Sequence, residues 1–217
     1  MQAGTLLRKF LPFVTLVVLF VFLALASPNF LTATNLSSVV RQTAVINIMA
    51  LGMTMIIITG GIDLSVGSIL ALAGVVGTMT MEKGAGIPAG IATGILTGAM
   101  CGLTNGFLTT RLRINPFIVT LGMLLIVRGA ALIVTNGMPI HSVPRGFAYL
   151  GEGSLVGVPF VLWVLLACAV LVHVLLERTK MGRYAFAIGS NPDAAYYAGI
   201  PVKFHTTAVY ATCGLLT

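Results

Sequence analysis

Charge is what this sequence has least of. Only 8% of its 217 residues are Asp, Glu, Lys or Arg, against about 25% in a typical soluble domain. The acids are Asp63, Glu82, Glu152, Glu177 and Asp193, and Asp63 alone is placed to lie at membrane depth. That scarcity weighs against a self-powered proton carrier, which keeps acids or histidines in its core. The three cysteines, Cys101, Cys168 and Cys213, all lie inside apolar stretches without CxxC or other metal spacing. They read as small packing residues, not as a disulfide framework. The histidines His141, His173 and His205 fall in separate regions, and His173 reads as an interfacial residue. No HExxH, GxSxG or GxxxxGK[ST] motif occurs, so hydrolase chemistry and ATP binding by those motifs are excluded. No metal or cofactor is expected.

Apolar residues are what the sequence has in excess: 58% of the chain, with a mean hydropathy of +1.05. A hydrocarbon core about 30 Å thick is crossed by about 20 apolar residues of helix. Six stretches qualify, at residues 10–26, 36–59, 65–81, 87–110, 116–135 and 158–176. A seventh starts near Thr206 and reaches the chain end at Thr217. The expected fold is all-α: a polytopic membrane helix bundle forming one transmembrane domain over residues 1–217. The net charge of +7 does not indicate nucleic acid, because the basic residues are scattered between apolar runs. They act as topology markers and headgroup contacts.

With a cytoplasmic N-terminus, Arg8, Lys9, Arg111, Arg113, Arg178, Lys180, Arg183 and Lys203 lie inside, and Arg41, Lys83 and Arg145 outside. The excess of basic residues inside sets this orientation. The first stretch has a second reading. Arg8-Lys9, an apolar run and Ala24-Leu25-Ala26 have the layout of a cleavable secretory signal. The run is slightly long for one and Pro28 follows at once, so an uncut helix is the expectation.

Gly90, Gly94, Gly98, Gly102 and Gly106 recur every four residues. On a helix they share one face, where the missing side chains let another helix approach closely. Static packing is the simpler reading. A surface that slides during transport is the functional one, and normal transport by a Gly98→Leu variant would exclude it.

Asp63 lies in Gly60-Gly61-Ile62-Asp63-Leu64-Ser65-Val66-Gly67-Ser68. The paired glycines can end one helix, and Asp63 can cap the next. The alternative places Asp63 and Ser65 in a polar pathway or gate. Arg128 lies deep in the fifth stretch, where an arginine costs about 3 kcal/mol by insertion scales. It either snorkels outward or serves the outer mouth of a pathway. Residues 177–205 form the most informative soluble loop. Asn191 can cap a short helix there, with Pro192 at its first position, Asp193 at its positive end and Gly199 at its stop. Ala194-Ala195-Tyr196-Tyr197 continue it, and exposed tyrosines suit a protein interface. An amphipathic helix lying on the membrane is the plainer reading, but the helix is short and lacks a basic face.

These segments together resemble the ribose-type permeases of ATP-binding-cassette importers. The resemblance is carried by Ser27-Pro28-Asn29-Phe30, the run from Gly60 to Ser68, Val127-Arg128-Gly129 and Thr135-Asn136-Gly137. Gly182-Arg183-Tyr184, Ile188-Gly189-x-Asn191, Ala194-Ala195, Gly199-Ile200 and Val209-Tyr210-x-x-Cys213-Gly214-Leu215-Leu216 extend it over nearly the whole chain after the first stretch. It implies a permease of about ten membrane helices that works as a homo- or heterodimer. Its partners would be a pair of cytoplasmic ATP-binding subunits and an extracytoplasmic sugar-binding protein. It further implies a bacterial inner-membrane location and ATP hydrolysis confined to the partner. The 191–199 helix would couple to the ATPase, together with Gly182, Arg183, Tyr184, Gly189, Asn191, Asp193, Ala194, Ala195 and Gly199. Asp63, Ser65, Arg128 and Asn136 become pathway or gate candidates. The sugar would be ribose or a similar monosaccharide. Family members continue beyond the seventh helix, so a truncated chain or a fragment is expected. The alternative function is an ion-coupled secondary transporter, separated by uptake that stops on collapse of the proton gradient.

Overall fold

The computed structural model describes residues 2–140 and 143–217, and side chains from residue 10 onward; His141 lies outside the described residues. The helices in chain order are α1 (Gln2–Ala26), α2 (Ala33–Ile58), α3 (Val66–Thr80), α4 (Ile87–Arg111) and α5 (Pro116–Val134). They are followed by α6 (Arg145–Glu152), α7 (Phe160–Arg178), α8 (Lys180–Ser190), α9 (Pro192–Tyr197) and α10 (Val202–Leu216). The architecture is the expected all-α bundle. One departure is a two-stranded antiparallel hairpin, β1 (Ser154–Leu155) with β2 (Val158–Pro159), so the sixth apolar helix starts at Phe160 instead of residue 158.

α2, α4, α5 and α7 are each long and apolar enough to cross a membrane. Proline at the first turn starts α4 and α5, where its missing N–H costs nothing. Asn115 caps α5 by accepting from the Phe117 amide at 2.9 Å. α1 is apolar and exposed along residues 10–22, as a lipid-facing helix is.

The third apolar stretch forms a helix within one residue of the expected bounds at each end. α3 has 15 residues, about 22 Å at helical rise, which is shorter than the core thickness. A π-helical turn, Met81–Ala85, follows it. Gly84 and Gly86, at φ 84° and 85°, then reverse the chain into α4. At the other end, 59–65 is not helical. The seventh apolar helix starts at Val202, four residues before Thr206.

The core forms where α2, α7 and α10 meet, around Met55, Ile56, Val172, Val209, Tyr210 and Cys213. A Cβ on Gly52 would sit 2.9 Å from Cys213 Sγ, so the small thiol lies in a tight crossing of α2 and α10. Outside the core, the Arg41 guanidinium of α2 donates to the Glu152 carbonyl and ties the α6 segment to the bundle.

Candidate functional site

The break between α2 and α3 is held by hydrogen bonds within its own turn and from two other helices. Thr59, Gly60 and Gly61 amides donate back to the Ile56 and Ile57 carbonyls at 2.9–3.0 Å, with Gly60 at φ 79°. This is a helix stop that requires a left-handed residue. Asp63 Oδ1 then accepts from the Ser65 amide at 2.7 Å and the Ser65 hydroxyl at 2.6 Å. Asp63 thus closes the turn entering α3, while Ser65 itself stands at the N-cap position. The sequence placed Asp63 as the cap of α3, but its bonds go to Ser65, two residues on, and among the described residues no side chain caps the first-turn amides of α3.

Two residues that sequence reasoning missed complete this cluster. Asn105 of α4 donates its amide to Asp63 Oδ2 at 3.2 Å and to Ser65 Oγ at 2.9 Å. Tyr210 of α10 donates its hydroxyl to the Ile62 carbonyl at 3.1 Å. Asp63 is 2% exposed, and Ser65, Asn105 and Tyr210 are fully buried. Asn105 lies six residues before Arg111, about 9 Å along the axis, so the cluster sits inside the bundle. Irregular backbone at membrane depth is tolerated where protein surrounds it and its polar groups are paired. The cluster offers no nucleophile with a base; it holds an unwound segment against two helices.

The α4 glycine face divides between two partners. Gly90 and Gly94 lie on α3, where added Cβ atoms would sit 2.7 Å from the Gly77 carbonyl oxygen and 3.2 Å from that of Ala73. Gly98, Gly102 and Gly106 lie on α10. A Cβ at Gly98 would overlap the Gly214 carbonyl oxygen, one at Gly102 that of Tyr210, and one at Gly106 would sit 2.7 Å from Thr207 Cα. The same stripe therefore brings Asn105 and Tyr210 to the helix break.

Arg128 and Asn136 lie elsewhere. Arg128 is exposed in a cleft of about 460 Å³ between α3 and α5. Asn136 is exposed after α5, at φ 52°, and with Gly137 it turns the chain back.

The coupling candidates gather at the end of the bundle that carries Arg111, Arg113 and Lys203. The stretch 177–205 holds two helices, not the single one expected. α8 was missed because it has no long apolar run. Thr179 caps it by accepting from the Met181 amide at 3.1 Å. Gly182 packs on the Leu176 carbonyl and Gly189 on the Ile58 carbonyl, with no room for a Cβ at either. α8 is thereby pressed onto the end of α2. Tyr184 stacks edge-on against His205 at 4.7 Å, and Arg183 is exposed. Asn191 Oδ1 accepts from the Asp193 and Ala194 amides at 3.0 and 2.9 Å, which starts α9. Gly199, at φ 83°, stops it as the Ile200 amide returns to the Ala195 carbonyl. Ala195 is 4% exposed and faces inward, whereas Tyr197 is 86% exposed. Asp193, Ala194 and Tyr196 are exposed beside it. Next to α9 lies a cleft of about 550 Å³ lined by Arg111, Arg113, Asp193, Tyr196, Lys203 and Phe204. Those basic residues read in the sequence only as topology markers; the fold makes them one surface with α9.

The chain is 37% identical over 207 residues to the ribose import permease protein of Escherichia coli (strain K12), covering 94% of this chain and 64% of the relative. It is 38% identical to the ribose import permease protein of Bacillus subtilis (strain 168), over 97% of this chain and 66% of that one. It is also 37% identical to the L-arabinose ABC transporter permease protein of Azospirillum brasilense, over 92% of this chain and 59% of that relative. The chain thus spans somewhat less than two thirds of the first of these proteins. No solved structure matches it. The model of the branched-chain amino acid transport system permease component family matches residues 35–217, and this multi-pass membrane chain belongs to that family.

Proposed function

We propose that the chain forms part of the translocation pathway of an ATP-driven, binding-protein-dependent importer for a monosaccharide, ribose or a similar sugar. The observation that carries this reading is the α8–α9 unit at the basic end. It is anchored through Gly182 and Gly189 and ends in a capped helix that presents Asp193, Ala194, Tyr196 and Tyr197 outward. A short rigid helix held on the end of α2 suits transmission of movement from a partner to the bundle. Similarity to ribose and arabinose permeases supports the substrate class. In this reading the basic end is cytoplasmic, α9 docks on one of a pair of ATP-binding subunits, and ATP is hydrolysed there. A second permease subunit completes the pathway in the bacterial inner membrane, and an extracytoplasmic binding protein delivers the sugar. Asp63 and Ser65 hold the broken α2–α3 segment that such movement would shift.

The test is co-purification of the full-length gene product with the neighbouring ATPase. Because Ala195 is buried, the informative substitutions are Ala194→Arg and Tyr197→Asp on the exposed face. The ATPase is expected to stay bound to the wild type in detergent and to be released by either variant. A folded wild type that binds no ATPase would refute the reading.

A further inference from the structure

The α3–α5 cleft is mostly apolar, with three polar side chains, Thr78, Arg128 and Thr135, in its lining. Its walls include Gly74 and Thr78 of α3, Arg128, Leu132 and Thr135 of α5, and Met138 from the turn that follows. Its volume of about 460 Å³ falls in the ordinary range for small-molecule pockets. The Thr78 hydroxyl donates to the Gly74 carbonyl at 2.7 Å, and the Thr135 hydroxyl to the Ala131 carbonyl at 3.0 Å. A hydroxyl has one hydrogen, so both threonines present only lone pairs to the cleft. Arg128 is the converse, with five N–H donors and no acceptor. Neither α3 nor α5 carries an acid to engage it; Glu82 lines an adjoining cleft that shares Thr135 and Met138.

A matching ligand has to accept from a guanidinium and donate to hydroxyl oxygens. A phosphodiester or an ionised carboxylate only accepts, so neither donates to the threonine oxygens, and an acyl chain does neither. The hydroxyls of a polyol do both. Gly74, Leu132 and Met138 supply apolar wall for the C–H faces of a ring. Hydroxyl partners in the cleft would also offset the cost of an arginine at this depth.

We propose that the α3–α5 cleft binds a neutral polyhydroxylated ligand, with Arg128 donating to its hydroxyls and Thr78 and Thr135 accepting from them. This rests on the importer reading and locates sugar contacts within this chain.

The test uses the full-length permease with its ATPase and binding protein in vesicles. Uptake of labelled D-ribose and L-arabinose is measured for the wild type, Arg128→Met, Arg128→Lys, Thr78→Val and Thr135→Val. Each near-isosteric valine variant is expected to lower uptake about 2- to 10-fold, the worth of one hydrogen bond. Arg128→Met should lower it more than about 10-fold, with Arg128→Lys between. The ribose-to-arabinose ratio should move in all four, which general misfolding does not produce. Unchanged rates and ratio in both valine variants would overturn the proposal, whatever Arg128→Met does. So would an anionic phospholipid that co-purifies with the wild type and is lost in Arg128→Met while uptake persists. A wild type that carries neither sugar removes the importer reading and the proposal with it.

Discussion

Asp63 has its carboxylate buried, and its hydrogen bonds come from Ser65 and Asn105. Burying a polar group of this kind is costly unless its hydrogen bonds are made. Asn105→Ala removes the donors to both Asp63 and Ser65, and a cost of about 1–3 kcal/mol is expected. It should appear as a lower thermal midpoint in detergent. Tyr210→Phe removes the single donor to the Ile62 carbonyl and should cost about 1 kcal/mol. An unchanged midpoint in both variants would mean that the cluster does not hold the break. Asp63 and Ser65 were legible as a local turn because they are two residues apart. Asn105 and Tyr210 were not, since their partners lie 42 and 148 residues away in sequence.

Helices here meet through backbone where glycine allows it. Gly98→Leu would drive a side chain into the Gly214 carbonyl of α10, whereas a Cβ at Gly122 of α5 has nothing within 4 Å. Overpacking a close contact costs about 1–3 kcal/mol or more. Gly98→Leu is therefore expected to lose stability and ATPase binding, with Gly122→Leu close to wild type in the same thermal assay. Equal midpoints would mean that the α4–α10 contact does not depend on a bare glycine face. At the short helix, Asn191→Ala removes both capping bonds of α9 and should cost about 0.5–2 kcal/mol. ATPase retention in the co-purification assay reads that loss. The period-four stripe disclosed a close contact at once. It did not disclose that Gly90 and Gly94 serve α3 while Gly98, Gly102 and Gly106 serve α10, because a stripe names a face and not the neighbour.

For the molecule as a whole, the side of the membrane on which each end lies follows from how many helices cross. α4, α5 and α7 separate Lys83 from Tyr197, so a cysteine placed at one is expected on the opposite side from a cysteine at the other. A membrane-impermeant thiol reagent applied to intact and to opened cells distinguishes them, with the wild type setting the background from Cys101, Cys168 and Cys213. Labelling of both from the same side would mean that one of the three helices does not cross. Reaction at Tyr197→Cys only in opened cells is the outcome the cytoplasmic ATPase reading needs.

Composition and apolar run length by themselves determined an all-α membrane bundle, because lipid leaves helices as the structures that satisfy such a backbone within one segment. Local chemistry likewise determined the stop at Gly60, the cap at Asn191 and the end at Gly199, where each group reaches a partner a few residues away. Tertiary structure alone decided the rest. It buried the break before α3, it folded α8 onto the end of α2, and it turned Ala195 inward. It also gathered Arg111, Arg113 and Lys203 beside α9, and Thr78, Arg128 and Thr135 around one cleft. Those outcomes depend on which helices pack together, and hydropathy carries no record of which apolar face meets which.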